Sequence, residues 1–394
     1  MKKLLITGGS HAEIPMIREA QKAGWYVITT GNNADGLGHR EADEYIPGDF
    51  SDREYVLELA KREGVAAIMS GCNDFAYLST AYACEKLGLK GHDSYETAKD
   101  VHIKNRFREV TRSLGIRTPK VVRVENEDAA VTAAGELGYP LVVKPVDLTG
   151  GKGVMICYDE AMMLEAVRDA FDKTRESYII FEECIIGSNH GASMILKNQK
   201  VVCAVFDNEQ YYINKYLVSG ATMPSDISAE TGRQLINDVN KVAERLRLVD
   251  GLFHTQFMVE KDGTAVMIDP CRRPPGDLYV LLAKYASGVN YPEEIMKAET
   301  GAGIVGDYCV ANHYIARECI MTDKEGTVED VVIDERLASH IVDKMLWAVK
   351  GEQVDDIMKY KAGILIMEFE SKEELDEAVE HFNEWAVVKV KEHA

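Results

Sequence analysis

The stretch around Lys144 carries residue types that could bind phosphate. It reads Tyr139-Pro-Leu-Val-Val-Lys-Pro-Val-Asp-Leu-Thr-Gly-Gly-Lys-Gly-Val-Met-Ile, so Lys144 ends an apolar strand and a glycine turn leads into a second one. Backbone N–H groups of such a turn can approach a polyphosphate, and Lys144 adds a positive charge. It is not a Walker A loop, because the lysine precedes the turn. A glycine-rich turn without a ligand explains it equally well. The turn residues are Thr149, Gly150, Gly151, Lys152 and Gly153.

A second stretch, Phe253 to Asp269, predicts a β-hairpin with oxygen-bearing side chains on one face. Asp262-Gly263 between two alternating strands is a strong hairpin signal. If these two residues form the turn, Gln256 lies opposite Asp269 with Cβ atoms about 4.5–5.5 Å apart, and the pair can share Mg²⁺. The alternative is a polar cross-strand pair that faces solvent. The positions predicted to face the core are Phe257, Val259, Val266 and Ile268.

The amino-acid composition limits the partners of this chain. Its 394 residues include 65 Asp and Glu against 45 Lys and Arg, a formal charge of −20, which disfavours nucleic acid and anionic membrane surfaces as partners. No apolar run reaches the roughly 20 residues of a membrane-spanning helix. The eight cysteines lack metal-ligand spacing, which predicts free thiols in the cytoplasm. An anionic ligand must therefore be held by local cations, backbone amides or a metal.

The elements around these stretches predict an α/β and α+β chain of several domains. Residues 1–95 alternate strands and helices at βαβ spacing. This spacing predicts an open parallel α/β domain with any ligand at the carboxyl ends of its strands. The predicted helices span 13–22, 53–62 and 75–87, and the predicted strands begin at Leu4, Trp25, Val65 and near Leu89.

From residue 96 onward the pattern changes to paired strands covered by helices. A linker helix is predicted over 100–114, and the strand pairs that follow predict antiparallel α+β structure. Near the end of the chain, a strand at 364–368 precedes a helix capped by Ser371, and a strand at 387–390 follows it. The predicted units are a linker helix with a first subdomain over 96–190, a second subdomain with the hairpin over 191–300, and a small C-terminal domain over 301–394.

In their order along the chain, these motifs resemble those of the ATP-grasp superfamily over roughly residues 1–300. Members of that superfamily join a carboxylate to a nucleophile through an acyl phosphate. Lys104, ahead of Gly115-Ile-Arg-Thr-Pro119, resembles one nucleotide-binding lysine of these enzymes, and Lys144 resembles the second. The turn 149–153 resembles the loop that closes over the phosphates. The resemblance implies an N-terminal α/β domain followed by a two-part grasp.

The resemblance also implies adenine and ribose contacts. The run Tyr178-Ile-Ile-Phe-Glu-Glu-Cys-Ile-Ile-Gly187 looks like the hinge between the two halves of the grasp. There Glu182 would bind the adenine amino group, and backbone groups at the next three positions would meet the ring. His190 falls where the superfamily usually has a ribose-binding polar residue. The three backbone positions are Glu183, Cys184 and Ile185.

The predicted hairpin is similar to the metal site of these enzymes, with one departure. Two carboxylates are usual, whereas this chain offers Gln256 and Asp269. Carbamoyl-phosphate-synthase-like members are similar in having Gln at the first position. Asp269-Pro-Cys-Arg-Arg273 resembles the run Glu-Ile-x-x-Arg, which would make Arg273 the arginine that steadies the acyl phosphate. An alternative alignment puts Met267 on that glutamate and Asp269 on a following asparagine, but the predicted facing pair favours the first alignment.

The resemblance implies a ligase that uses ATP and Mg²⁺, or Mn²⁺ in its place, to join a small carboxylate such as an amino acid to an amine. Lys144 and Arg273 would be catalytic. Two alternatives stay open. One is an enzyme that uses bicarbonate or carbamate, as carbamoyl-phosphate-synthase-like and biotin-carboxylase-like members do. The other is a non-catalytic ATP-binding protein whose metal site has decayed, as Gln256 suggests. A homodimer is compatible with the resemblance, because dimers are common in the superfamily.

A few more positions are candidates for substrate contact. His11 follows Gly8-Gly9-Ser10 before a predicted helix, and Asn73 and Asp74 follow a predicted strand. Each could contact a substrate, or it could only cap a helix. The segment 219–225 matches a loop that often lines the acceptor side in ligase members.

Overall fold

The structure, a computed structural model, describes residues 2–146 and 153–392. Its N-terminal part contains the strands β1 (Lys3–Thr7), β2 (Tyr26–Gly31), β3 (Glu44–Pro47) and β4 (Ala67–Ser70), and the helices α1 (Ile14–Lys22), α2 (Leu37–Glu41), α3 (Arg53–Glu63) and α4 (Asp74–Leu87). The strands form one parallel sheet in the order β3-β2-β1-β4. The predicted parallel α/β class is therefore confirmed.

The strand predicted near Leu89 is wrong. Gly88 ends α4 with a left-handed backbone (φ 66°), and the N–H of Leu89 bonds to the carbonyl of Cys84. This bond closes a helix C-cap, so Leu89 belongs to the helix end. The fourth strand of the sheet is β3, whose short sequence Glu-Tyr-Ile-Pro lacks the apolar alternation of a typical strand.

The predicted linker helix consists of two helices, α5 (Tyr95–His102) and α6 (Lys104–Ser113). Ile103 interrupts them with an extended backbone, φ −98° and ψ 115°. Lys104 therefore stands at the first position of α6, where its side chain can reach beyond the helix end. Gly115 follows α6 with a φ of 66°, which a glycine adopts without strain.

The next unit is an antiparallel sheet with two covering helices. Its elements are β5 (Val121–Val124), α7 (Glu127–Leu137), β6 (Leu141–Pro145), β7 (Met155–Cys157), α8 (Glu160–Lys173) and β8 (Ile179–Glu183). The strand order is β5-β8-β6-β7, and β6 pairs with β7 as predicted. Alanines and branched residues of α7 and α8 pack on the sheet in one apolar cluster.

The elements that follow form a second antiparallel sheet and part of a third. They are β9 (Gly187–Lys197), β10 (Lys200–Phe206), β11 (Asn208–Tyr211), β12 (Val218–Met223), α9 (Ala229–Leu246), β13 (Gly251–Glu260), β14 (Ala265–Cys271), α10 (Tyr279–Ser287) and α11 (Tyr291–Glu299). The second sheet has the order β10-β9-β13-β14, so the predicted hairpin β13–β14 lies at its edge.

The C-terminal elements complete the third antiparallel sheet and add a small fourth one. They are β15 (Tyr314–Ile320), β16 (Gly326–Ile333), α12 (Glu335–Ala338), β17 (Ile341–Leu346), β18 (Gln353–Val354), β19 (Gly363–Phe369), α13 (Lys372–Glu380), α14 (Phe382–Trp385) and β20 (Ala386–Lys391). The sheet orders are β11-β12-β15-β19-β17 and β18-β16-β20. Because β12 bonds directly to β15, one sheet crosses the predicted boundary at residue 300.

The largest apolar cluster joins the N-terminal sheet to the rest of the molecule. Leu4 and Ile6 of β1 share it with Leu282 of α10, Ile295 of α11 and Ile315 of β15. Burial of these side chains removes apolar surface from water, at roughly 25 cal/mol per Å², so the parallel sheet and the C-terminal strands are held on one core. In the described part of the chain, every helix is too short or too polar to span a bilayer.

Candidate active site

A cavity of about 790 Å³ lies where the three larger antiparallel sheets of the fold meet. The strands β6 and β8 form one wall, the hairpin β13–β14 forms another, and the strands β11, β12 and β15 close the third side. Most of the site residues expected from the sequence line it. They are Lys104, Lys144, Glu182, Glu183, Cys184, Ile185, Gln256, Asp269 and Arg273.

Lys144, on β6, is buried and ion-paired inside this cavity. Its Nζ donates to Oε2 of Glu182 at 2.5 Å, and Nη2 of Arg108 lies 3.2 Å from the other oxygen of Glu182. Burial lowers the pKa of Lys144, but the charges of Glu182 and Asp269 outweigh this effect and leave the pKa raised. Lys144 therefore carries its positive charge at neutral pH.

Glu182, expected from the sequence to contact adenine, is paired with two cations in this structure. Glu182 is 1% exposed, and its carboxylate accepts hydrogen bonds from Lys144 and Arg108. Burial raises the pKa of Glu182, but these two cations outweigh it and lower the pKa. In this structure each carboxylate oxygen of Glu182 therefore contacts one cation.

The hinge residues after Glu182 line the cavity. The side chain of Glu183 turns out to Arg117, with two contacts of 2.9 Å. The N–H of Glu183 bonds to the carbonyl of Lys120. Cys184 and Ile185 continue this edge, and burial raises the pKa of the Cys184 thiol, so the thiol is neutral.

His190 faces away from the cavity, contrary to expectation. Side chains alternate along β9, and its pairing with β13 sets Asn189 beside Met258 and His190 beside Phe257. The His190 ring stacks on Phe257 at 5.3 Å and bonds to the carbonyl of Asp207 at 2.8 Å. Asn189, on the opposite face of the strand, lines the cavity instead.

The hairpin pairs Gln256 with Asp269, as predicted. The register differs elsewhere, because a β-bulge between Gln256 and Phe257 leaves Ile268 unpaired. Phe257 therefore pairs with Met267, which lies in the core and is 1% exposed. Ile268, predicted to face the core, lines the cavity instead. The alternative alignment, with Met267 as a metal position, has no support because Met267 faces the core.

Glu209, on β11, adds a carboxylate that sequence reasoning missed. Nε2 of Gln256 donates to Oε1 of Glu209 at 2.8 Å, and the Tyr211 hydroxyl donates to the other oxygen at 2.6 Å. Burial raises the pKa of Glu209. Nothing in the local sequence marks Glu209, because it meets Gln256 across two different sheets.

The side chains of Gln256, Asp269 and Glu209 form a donor set that suits a hard cation. In residues 2–146 and 153–392, no three side chains of His, Cys, Asp or Glu come together as a metal site. The local donors are instead the carboxylates of Asp269 and Glu209 and the amide oxygen of Gln256. Mg²⁺ is typically bound through one or two carboxylates and completes its coordination with water and substrate phosphates, so this oxygen donor set suits Mg²⁺ in the presence of a nucleotide.

Cations surround Asp269 and lower the pKa that burial alone would raise. Nζ of Lys104 lies 3.7 Å from its carboxylate, and the charges of Lys104, Lys144 and Arg108 keep the pKa of Asp269 below its usual value. Arg108 was missed by sequence reasoning. The available signal is its spacing of four residues from Lys104, which puts both cations on one face of α6.

Arg273 is held from the N-terminal domain. Its Nε donates to Asp74 at 2.9 Å, and His102 contacts the same oxygen at 3.1 Å. Burial raises the pKa of Asp74, but the Arg273 guanidinium outweighs it and holds that pKa far below its usual range. Asn73 caps α4 through Phe75. Asn73 therefore caps a helix, and Asp74 orients Arg273.

The far end of the cavity is built around Asp277. Its carboxylate contacts Nε2 of His11 at 3.3 Å and Nζ of Lys361 at 2.5 Å, and Trp347 stacks on the His11 ring at 4.4 Å. Arg317 of β15 lines the same region. The predicted loop 219–225 is largely strand β12, from which Val218 and Ala221 reach the cavity.

Four expected phosphate-binding residues lie outside the described part of the chain. Gly153, the last residue of the same turn, has a φ of 70°. A left-handed backbone of this kind suits glycine and few other residues. The residues outside the described part are Thr149, Gly150, Gly151 and Lys152.

Comparison with known proteins identifies the central segment. Residues 104–269 match a family model described as the ATP binding domain of the carbamoyl-phosphate synthase L chain. The carbamoyl phosphate synthase large chain of Xylella fastidiosa is 27% identical over 271 residues, which cover 64% of this chain and 25% of that protein. The chain thus spans about a quarter of the length of this curated relative.

Two solved structures share the fold over nearly the whole chain. The L-amino acid ligase from Bacillus licheniformis has a TM-score of 0.83 and 19% identity, with 99% of each chain covered. The biotin carboxylase domain of the Hydrogenobacter thermophilus 2-oxoglutarate carboxylase, solved as a dimer with MgADP, ADP and bicarbonate, has a TM-score of 0.79 and 19% identity. That alignment covers 99% of this chain and 91% of the other. The ATP-grasp resemblance found in the sequence is confirmed at the level of the fold.

Proposed function

We propose that this chain, which has the ATP-grasp fold, is an ATP-dependent ligase that activates a small carboxylate as an acyl phosphate for attack by an amine. The observation that carries the proposal is that three cations and one facing pair of oxygen-bearing side chains line a single cavity. The cations are Lys104, Lys144 and Arg273, and the pair is Gln256 and Asp269. An amino acid or a related small acid is the proposed carboxylate.

Charge explains the roles proposed for these residues. ATP and a carboxylate are both anionic, so they meet only where cations offset their repulsion. Lys104 and Lys144 would bind the phosphates, and the backbone at 183–185 would hold the adenine. Asp269, Gln256 and Glu209 would hold Mg²⁺, which when bound neutralises phosphate charge as a Lewis acid.

The proposed reaction has two steps, phosphorylation of the carboxylate and attack by the amine. A carboxylate oxygen of the substrate attacks the γ-phosphorus, the new O–P bond forms, and ADP leaves with the electrons of the broken P–O bond. The amine nitrogen then attacks the acyl carbon, phosphate leaves, and the nitrogen loses a proton to water. Arg273, fixed by Asp74, would stabilise the negative charge on the transferred phosphoryl group, and Lys144 would do so from the other side.

A second candidate activity is the phosphorylation of bicarbonate or carbamate. The observation that favours it is the similarity of residues 104–269 to the carbamoyl-phosphate synthase domain, together with Gln256 in place of a carboxylate. The same cavity would serve this reaction, with bicarbonate in place of the larger acid. The two candidates are distinguished by the acid that must be present for ADP to form.

Four finer properties belong to the same proposal. Mn²⁺ would replace Mg²⁺, since the donors are all oxygen. The protein would act in the cytoplasm, since all eight cysteines are free thiols and seven of them are at least partly buried. A homodimer would form, as in the solved biotin carboxylase domain. Small molecules would be the substrates, with no nucleic acid or membrane as partner.

The test is an ADP-release screen over a matrix of small carboxylates and amines, with a separate bicarbonate series. We expect ADP only when one acid and one amine are present together, and no ADP when Mg²⁺ is removed with EDTA. ADP release that needs bicarbonate and no other acid would select the second candidate. Stabilisation by Mg-ATP without turnover in any mixture would contradict both and leave an ATP-binding protein.

A matched pair of variants ties the activity to the site. Asp269→Ala removes the carboxylate opposite Gln256 and should abolish ADP release. Asp262→Ala changes an exposed carboxylate in the turn of the same hairpin and should leave ADP release unchanged. Full activity of Asp269→Ala would remove the proposed metal site from the mechanism.

A further inference from the structure

Arg317 occupies an unusual position at the far end of the cavity. It lies in the middle of β15, between β12 and β19, where it pairs with Ala221 and Ile366. Its side chain is 2% exposed, yet it lines the cavity beside Asp277. A guanidinium is always charged, so its burial is costly unless hydrogen bonds and an opposite charge compensate it.

Arg317 lacks the carboxylate partner that the comparable arginines have. Arg108 lies 3.2 Å from Glu182, and Arg272 lies 2.9 Å from Asp93. In the described part of the chain, no carboxylate lies within salt-bridge distance of Arg317. Its Nη1 donates only to the thiol sulfur of Cys319 at 3.3 Å, and its buried Nε has no hydrogen-bond partner.

The nearby acids are already engaged by other residues. Asp277 binds His11 and Lys361. Asp207 accepts hydrogen bonds from the Tyr279 hydroxyl and from the N–H of Gly191. Their charges reach Arg317 only over longer distances.

Two further acids are also unavailable to Arg317. The carboxylate of Glu209 is taken by Gln256 and Tyr211. Glu318 follows Arg317 on the strand and points to the other face, toward Gly220. An anion that pairs with Arg317 must therefore enter from the cavity.

We propose that Arg317 binds a carboxylate of the substrate, one that is not phosphorylated in the reaction. This inference rests on the proposed ligase function and names a substrate class for it, namely an amino acid or another acid with a second anionic group. The planar fork of the guanidinium matches the two oxygens of a carboxylate. The phosphates of ATP are already assigned to Lys104 and Lys144 in the proposed function.

Two substrates could supply such a carboxylate. It could be a second carboxylate of the acid that is activated, or the carboxylate of an amino acid that acts as the amine. Both share the same chemistry at Arg317. Separate saturation curves for the acid and for the amine distinguish them, because only the substrate held by Arg317 should show a raised KM in a variant.

The first test measures binding and needs no turnover. Thermal unfolding in Mg-ADP is followed with the common L-amino acids and succinate, each compared with its primary carboxamide. We expect stabilisation of the wild type by at least one carboxylate and not by its amide. In Arg317→Gln the apparent Kd of that carboxylate should rise at least about tenfold, while stabilisation by Mg-ADP is retained.

Two variants separate ligand binding from structural damage. Arg317→Lys keeps the charge without the fork and should bind the carboxylate with intermediate affinity. Glu318→Gln changes a residue that is also buried, at 4% exposed, but faces away from the cavity, so its carboxylate affinity should equal that of the wild type. If Arg317→Gln does not fold, Arg317→Lys still decides the matter through the same Kd.

The inference and the proposed function fail in different ways. Equal affinity for a carboxylate in the wild type and in folded Arg317 variants would overturn the inference, whether or not ADP is released. So would a wild type that binds the amides as tightly as the acids, or that binds Mg-ADP but none of the carboxylates. Carboxylate binding that depends on Arg317, without ADP release in any mixture, would support the inference and contradict the ligase activity.

Discussion

Lys144 remains charged inside the protein because Glu182 and Asp269 surround it. Lys144→Met removes that charge and leaves Glu182 paired with Arg108. We therefore expect kcat/KM for ATP to fall by about 100-fold or more, because the phosphate charge is no longer offset. ATP titration with coupled ADP detection measures this change.

The control for this variant is Lys241→Met. Lys241 also pairs with a carboxylate, Asp238, at 2.8 Å, but it lies on α9 outside the cavity. Its kcat/KM should equal that of the wild type. Wild-type kinetics in Lys144→Met would remove Lys144 from the catalytic residues, although it would leave the Arg273 assignment intact.

Site residues that belong to a local sequence motif could be predicted. Site residues whose role depends on a partner that is distant in the sequence could not. Lys144 stands beside a glycine turn, and Gln256 and Asp269 face each other across a hairpin. In contrast, Glu209 gains meaning only from its hydrogen bond to Gln256, which comes from another sheet. Arg317 had one overlooked signal, a pair of charges inside the apolar strand Tyr314–Ile320.

At the scale of elements, one extra residue decides what the hairpin presents to the cavity. A two-residue turn at Asp262 and Gly263 predicts the pair Gln256 and Asp269, and the structure has that pair. Between the turn and the bulge, the two strands pair one position away from the predicted register. The unpaired residue Ile268 then brings Gln256 and Asp269 back into the predicted register. Bulges of this kind depend on packing on both sides of the sheet, which a single strand pattern does not reveal.

The contact between β11 and β13 makes a testable prediction about charge. Gln256 donates to Glu209 at 2.8 Å, so Gln256→Glu would set two carboxylates against each other. We expect the variant to lose about 1–3 kcal/mol of stability in EDTA and to regain it with Mg²⁺, which neutralises the pair. Urea unfolding with EDTA and with Mg²⁺ measures both effects.

The exchange variant Glu209→Gln with Gln256→Glu is the matched control. It restores one amide and one carboxylate across the same contact, so its stability in EDTA should return toward that of the wild type. If Gln256→Glu alone is as stable in EDTA as the wild type, the contact does not carry the proposed energy. If Mg²⁺ stabilises neither variant, the donor set is not a metal site.

At the scale of the whole molecule, two buried glutamates make stability depend on pH. Burial raises the pKa values of Glu299 and Glu318 to about 8, from an ordinary value of 4.5. Between these values the folded protein holds protons that the unfolded chain has lost. The two groups therefore make the free energy of unfolding fall as pH rises from about 4.5 to about 8.

The double variant Glu299→Gln with Glu318→Gln removes this contribution. Its free energy of unfolding, relative to the wild type, should increase steadily across that pH window, as measured by urea titration. Both side chains keep an oxygen acceptor, including the one that receives the N–H of Ser70. Glu230→Gln changes an exposed helix position, so its free energy of unfolding should depend on pH in the same way as that of the wild type. Parallel curves for the double variant would contradict the prediction.

The overall class could be read from periodicity, but the way the units join could not. Parallel and antiparallel regions follow from the spacing of apolar residues. The pairing of β12 with β15 connects strands almost one hundred residues apart, and no local pattern indicates such a partner. For that reason the predicted boundary at residue 300 falls inside a region bridged by a continuous sheet.

The contacts of Asp277 have a consequence for the order of folding. His11 lies 266 residues before it and Lys361 lies 84 residues after it. Contacts between such distant segments require the closure of long loops, which makes them slow to form. The end of the cavity proposed to bind ATP depends mainly on residues 104–269, whereas the far end requires the first and last parts of the chain as well. A folding intermediate could thus acquire the proposed ATP end early, and binding at the far end would report that folding is complete.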